Sequence, residues 1–336
     1  MSRFCVRCRP NLFTNKTIVE LPTHPCQIPV TEKNYTSVDS PLHELRSAQV
    51  HVSDIVLIAT TDAKSGRSDA LDRMLRSVEG NISARPDKSI ILLLLLQNCS
   101  DQLFRSMVDD LPPFARAIPI AYRTSLSGAR NALLSYARSA GLISPSTVVG
   151  FPDDDCWYSN GLLGHVADTF AADSRLGLWF CRYSSNPCPL VRSPVVQKQA
   201  KLRDVVRHSC STAMFVRGNP IVSGRKFDEN LGIGTANMSG EDTEFALQAH
   251  LFGGRSMYLP LAAIGHRDRD PRKRARYYRG GLIAIARHAK SEMRIAVELM
   301  RKLLVGVWLV LRRELPFTVF ADAVLAAARS GRPASS

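Results

Sequence analysis

The stretch that most constrains the fold is Ile90-Ile91-Leu92-Leu93-Leu94-Leu95-Leu96, seven apolar residues without a polar one between them. A strand with one face in water alternates apolar and polar side chains, so an unbroken run fits a strand covered on both faces, inside a parallel sheet. It is too short to cross a bilayer. The run ends at Gln97-Asn98-Cys99-Ser100-Asp101. Upstream, Asp54–Ala59 is apolar until Thr60-Thr61-Asp62. A polar loop through Gly66 follows, and then Leu71, Met74, Leu75 and Val78 recur at helical spacing. Downstream come a short run at Ala117–Ala121, a helical stripe from Ala129 to Ala140, and a strand at Thr147–Phe151. Strand alternating with helix predicts a doubly wound α/β sheet with helices on both faces, whose ligands collect at the carboxyl ends of the strands. Thr60, Thr61, Asp62, Gln97 and the triplet Asp153-Asp154-Asp155 all fall at such ends.

Three consecutive carboxylates at the end of a buried strand repel one another and are costly to desolvate, which calls for a positive partner. Along an extended backbone Asp153 and Asp155 point the same way and can converge on one ion, while Asp154 faces elsewhere. Oxygen ligands select magnesium or manganese over zinc. Taken alone, the triplet would read as a solvated acidic turn, so its meaning depends on the rest of the chain.

In the second half, strands are expected at Leu176–Tyr183 and Ala213–Arg217, with a stretch rich in glycine and turn residues at Asn219–Gly234. Gly240-Glu241-Asp242-Thr243-Glu244 then opens a helix, a position where the helix dipole favours carboxylates whether or not they do chemistry. At the carboxyl end, Met293, Ala296, Val297, Met300, Leu303, Leu304 and Val307 form an apolar stripe, and Arg301-Lys302 and Arg312-Arg313 flank the run Leu303–Leu311. That run cannot span a bilayer. Such amphipathic helices could lie in an acidic membrane interface or dock on the catalytic domain.

The chain carries 44 basic against 30 acidic residues, a formal charge of +14, which favours an anionic partner. No nucleic-acid module or aromatic-interleaved basic patch accompanies that charge, so nucleic acid is not the expected partner. Residues 1–50 read as an irregular extension without an apolar segment of secretory length, implying the cytoplasm. Cys5 and Cys8 have the spacing of half a zinc site, but Cys26 stands alone and no second pair follows. Eight scattered cysteines in a reducing compartment are expected to be free thiols.

From Asp54 to Lys290 the chain resembles a family-2 glycosyltransferase of the GT-A fold, on motifs occurring in the family's order. Asp54–Thr61 resembles the opening strand and nucleotide-binding loop, and Gln97–Asp101 the strand end that contacts the base. Ser127-Gly128-Ala129-Arg130-Asn131 resembles the Ala-Arg-Asn segment before the metal strand. Phe151–Tyr158 with Gly161-Leu162-Leu163 resembles the DxD region, and Phe227–Gly232 and Gly240–Phe245 the acceptor-side segments.

The resemblance implies a mixed GT-A sheet in a domain over 51–290, divided into a nucleotide-sugar half (51–160) and an acceptor half (161–290), followed by C-terminal amphipathic helices over 291–336. It implies a metal-dependent, inverting transfer from a nucleotide-diphosphate sugar, a UDP-sugar first among them, to a saccharide or lipid-linked saccharide. The setting would be cell-surface polysaccharide or glycolipid synthesis, peripheral on the inner face of the cell membrane. By the same resemblance Asp242 is the base, Asp153, Asp155 and His266 hold magnesium or manganese, and Thr60, Thr61, Asp62, Gln97, Arg130, Asn131, Asp153, Asp154 and Glu241 contact substrate. Arg130 and the basic segment Arg272–Arg279 could pair with phosphate oxygens. Gln97 departs from the pattern, since the family normally has a carboxylate there. The competing expectation is a GT-A-like scaffold that has lost catalysis and only binds.

Overall fold

A computed structural model describes residues 52–190, 195–268, 270, 273–290 and 292–330. The extension with Cys5, Cys8 and Cys26, and Arg272 of the basic segment, lie outside the described residues. The first half runs β1 (Ile55–Asp62), α1 (Ser68–Ala84), β2 (Ile90–Gln97), α2 (Asp101–Val108), β3 (Ala115–Pro119), α3 (Leu126–Ser139) and β4 (Val148–Gly150). β1 pairs in parallel with β2 and with β4, and β2 with β3.

All eight residues of β2 are buried, as its unbroken apolar run requires. Its two faces feed separate cores. Ile91, Leu93 and Leu95 pack with Leu133 and Ala137 of α3, while Leu92, Leu94 and Leu96 pack with Leu71, Met74 and Val78 of α1 and Phe104 of α2. Each fully buried leucine contributes roughly 1.5–3 kcal/mol, so this single strand anchors both layers. β3 begins two residues before the run expected at Ala117–Ala121. It is the edge strand, where Pro119, which has no N–H to donate, is tolerated.

The second half runs β5 (Trp157–Tyr158), α4 (Leu162–Ala172), β6 (Leu176–Ser184), β7 (Lys198–Gln199), α5 (Leu202–His208), β8 (Met214–Arg217), α6 (Gly218–Val222), α7 (Glu241–Phe252) and β9 (Arg255–Gly265). Among the described residues the strands form one nine-stranded sheet in the order β3-β2-β1-β4-β8-β6-β9-β5, with β7 added on β9. β8 lies antiparallel to both β4 and β6, which makes the sheet mixed. Among the described residues Cys99, Cys156, Cys181, Cys188 and Cys210 form no disulfide.

Three helices close the chain: α8 (Arg274–Ala289), α9 (Met293–Leu311) and α10 (Phe317–Ser330). Tyr278, Leu282 and Ile283 of α8 meet Leu309, Leu315 and Ala323 in a third core, which reaches the main domain at Leu231. α9 turns Ile295, Glu298, Gly306 and Leu309 inward. The apolar stripe from Met293 to Val307 therefore lies largely on its outer side. Met293, Val297, Met300, Leu304, Val307 and Leu311 are exposed, Leu304 at 64 % and Leu311 at 77 %. Among the described residues no helix is long and apolar enough to cross a membrane.

α8 meets the start of α7 through two glycines. Gly240 has φ +96, a conformation that L side chains rarely adopt, and a Cβ on Gly280 would fall on the Ser239 carbonyl oxygen, well inside contact distance. Gly280→Ala is expected to force the two segments apart and to cost roughly 1–3 kcal/mol, the usual range for overpacking. Denaturant titration checks this, and an unchanged midpoint would show that the contact tolerates a methyl group.

Candidate active site

A cleft of about 1300 Å³ has Asp153, Glu241, Asp242 and His266 in its lining. At its floor is Arg130, 1 % exposed, on the first turns of α3. One terminal nitrogen donates to Asp153 Oδ1 at 3.1 Å and to Ser211 Oγ at 2.8 Å, and the other to Asp242 Oδ1 at 3.3 Å. The guanidinium lies 5.2 Å from the centre of the Phe227 ring, which packs with Phe151 and Phe245. A buried cation needs anions around it. Arg130 obtains them from a strand end and from a helix start far apart in sequence. Its partners are two carboxylates and a hydroxyl of the protein.

Asp153, Asp155 and His266 come together, and one ligand atom from each lies within 4.8 Å of the others. His266 Nε2 is 3.6 Å from Asp153 Oδ2 and 3.1 Å from Asp155 Oδ1. Asp155 Oδ1 and His266 Nε2 are both buried, and their ion pair lies inside this cluster. That convergence, from two carboxylates and an imidazole, fits magnesium or manganese. Burial opposes the Asp153 charge, but His266, Arg130 and Thr212 outweigh it and hold that carboxyl at about 2. Burial would also lower His266, yet Asp153 and Asp155 keep the imidazole protonated up to about 10, so a metal ion and a proton compete for the same nitrogen.

Asp154 faces the other way, but from a turn: β4 ends at Gly150, so the extended backbone expected at the triplet is not what sets this direction. Asp154 accepts from Thr61 Oγ1 at 2.6 Å and from Arg67 at 3.1 Å, and burial raises its pKa despite both. It clamps β1 to the acidic turn and does not line the cleft. Two further expected substrate contacts, Asn131 and Gln97, hydrogen-bond within the protein. Asn131 donates to the Phe227 carbonyl and to Glu229 and accepts from the Phe227 N–H, which ties α3 to the acceptor-side loop. Gln97 is buried, with its amide donating to Thr60 Oγ1 at 2.7 Å and accepting from Thr124 N at 2.9 Å. Both need partners because they sit where elements close over the core, so they brace the strand ends. Asp62, half-buried at the end of β1, accepts from Asn98 at 3.0 Å.

The sequence reading missed Ser211 and Thr212. Thr212 Oγ1 donates to Asp153 Oδ2 at 2.9 Å. Both are buried just before β8, and their only signal is polarity ahead of an apolar run. In the basic segment, Lys273 and Arg274 line the cleft, whereas Arg279 pairs with Asp322 at 2.8 Å.

Residues 56–231, just over half of the chain, match the family model described as glycosyl transferase family 2. The chain belongs to this family. No curated protein matches it in sequence. The fold is that of GT-A glycosyltransferases. The Staphylococcus aureus protein TarS 1-349, in complex with UDP-GlcNAc, is similar at TM-score 0.56 and 14 % identity, over 83 % of this chain and 82 % of that one. The mannosyltransferase PcManGT from Pyrobaculum calidifontis, in complex with GDP-Man and Mn2+, is similar at TM-score 0.55 and 14 % identity, over 84 % of this chain and 77 % of that one.

In this glycosyltransferase Glu241 is 6 % exposed and its Oε2 has no hydrogen-bond partner. Burial, and then the charge of Asp242, push its carboxyl up to about 8, against the pull of Arg130. The folded protein therefore keeps a proton that the unfolded chain has lost above its ordinary value. The stability this proton contributes is fully present below the ordinary glutamate pKa and is gone once the pH has risen through about 8. Glu241→Gln removes this dependence. The melting temperature of the variant relative to wild type should rise from pH 5 to 8 and then level off, measured without donor and with chelator. A flat difference would place Glu241 at an ordinary carboxylate value.

Proposed function

We propose that this transferase moves a sugar from a nucleotide-diphosphate sugar to a saccharide or lipid-linked saccharide hydroxyl in one inverting displacement. The observation that carries the proposal is the shared floor of the cleft, where Arg130 joins Asp153 of the acidic cluster to Asp242. The donor would occupy the half before residue 160, with Thr60, Thr61 and Asp62 at its edge, and the acceptor the half that follows. A divalent cation held by Asp153, Asp155 and His266 would neutralise the charge that grows on the departing diphosphate. Asp242 takes the acceptor proton as the hydroxyl attacks the face of the sugar opposite the diphosphate, which inverts the anomeric centre. Glu241, kept neutral beside it, adds no second negative charge below about pH 8. The ligands named for TarS and PcManGT, UDP-GlcNAc and GDP-Man with Mn2+, support a nucleotide-sugar donor and a metal.

The test is release of nucleoside diphosphate from a panel of nucleotide sugars, with manganese, with magnesium and with chelator. Turnover is expected only with metal, and Asp155→Ala should abolish it. Asp242→Asn keeps an oxygen for Arg130 but loses basicity, so turnover should fall by roughly 10²–10⁴-fold with donor binding retained. Full activity in chelator would remove the metal, and wild-type turnover in Asp242→Asn would remove the base.

We also propose that the enzyme works at the inner face of the cell membrane, in polysaccharide or glycolipid synthesis. Support comes from the exposed row Met293, Val297, Met300, Leu304, Val307 and Leu311, bordered by Arg294, Arg301, Arg312 and Arg313. Apolar contact with basic flanks suits an acidic lipid surface. Full-length protein should co-sediment with vesicles containing phosphatidylglycerol, less so at high salt. Met300→Glu with Leu304→Glu should release it. No binding at low salt would overturn the assignment.

A further inference from the structure

The cleft that holds Asp153, Glu241 and Asp242 also carries a group of basic side chains. Arg203 and Arg207 stand one turn apart on α5, Arg182 lies near the end of β6, and Lys273 precedes α8. All four are exposed and line the same cleft as Asp242. Among the described residues none of the four forms an ion pair, whereas Arg267, Arg274 and Arg301 on the same walls are held by Asp155, Glu314 and Glu298. Asp204, between the two α5 arginines, is drawn instead to Lys198 and to the Lys201 N–H. Two like charges one turn apart repel each other, and nothing on the helix relieves them.

These charges belong to the acceptor side. α5 packs on α7, the helix that carries Asp242, and its end leads through His208–Cys210 into Ser211 and Thr212 on the catalytic floor. Asp153, of the acidic cluster that would take the donor's metal, and Asp242 are held by different terminal nitrogens of Arg130. A cluster of like charges attracts ligands of the other sign, and paired guanidiniums match the oxygens of phosphate better than a neutral sugar. We propose that the acceptor is a phosphate-bearing glycan or glycolipid, whose phosphate seats on Arg203 and Arg207 while its hydroxyl reaches Asp242. This rests on the transferase reading, with Asp242 as the acceptor-side base.

Fluorescent dextran oligomers in phosphorylated, carboxymethylated and unmodified form make the probes, against full-length wild type and the double variant Arg203→Gln with Arg207→Gln. The phosphorylated oligomer should bind wild type the most tightly, weaken with salt, and lose about tenfold in the variant. Nucleotide-sugar affinity should stay unchanged, which also shows that the variant is folded. Equal binding of phosphorylated and carboxymethylated oligomers overturns the phosphate class, and equal binding of the unmodified oligomer overturns an anionic acceptor. A parallel loss of nucleotide-sugar affinity gives the arginines to the donor. Unchanged oligomer binding with lost binding to phosphatidylglycerol vesicles gives them to the membrane surface, and either result overturns the proposal. Wild-type protein that binds no nucleotide sugar overturns the functional reading itself, and the acceptor assignment with it.

Discussion

The arrangement depends on one buried charge. Arg130 has almost no solvent, so its guanidinium is tolerable only while Asp153 and Asp242 stay within reach. Those carboxylates come from opposite halves of the molecule, one from the turn after β4 and the other from the first turn of α7. The same contacts that satisfy the arginine thus fix the distance across the cleft. Phe227, Phe151 and Phe245 form the apolar support beneath it, and Ser211 takes a further N–H. Removing either carboxylate would strand part of a cation, so geometry and stability are tied at this point.

Much of the fold was legible in the chain because burial on two faces leaves a plain mark. β2 shows it as unbroken leucines, and α1 as Leu71, Met74, Leu75 and Val78, all of which are buried. The opposed directions of Asp154 and of the Asp153–Asp155 pair were expected from an extended backbone, but a turn after Gly150 produces them. Gln97 and Asn131 were harder, because a polar residue at a strand end or a helix start looks the same whether it meets a ligand or another loop. Only the positions of Thr60, Thr124 and Phe227 decide between the two, and those depend on tertiary packing. For the same reason the α9 stripe could be recognised as amphipathic while its outward direction could not.

Polarity also separates the two ends of the cleft. Near Arg130 every charge has a counter-charge, and the groups are held by strands and by the starts of long helices. Arg203 and Arg207 on α5 and Lys273 before α8 are exposed and, among the described residues, form no ion pair. A rigid, neutralised floor suits a reaction centre that must not reorganise, and an unneutralised wall suits a ligand that arrives from solution.

Helix α9 serves two surfaces at once. Val305 and Leu309 line the cleft, while Leu304, Val307 and Leu311 look away from the domain. The helix is therefore a spacer of fixed thickness. Whatever the outer side rests on stands about one helix diameter, roughly 10–12 Å, from the cleft interior. Because α8 is locked to the start of α7 where Gly240 meets Gly280, that standoff is referenced to Asp242 by packed backbone and not by a flexible tether.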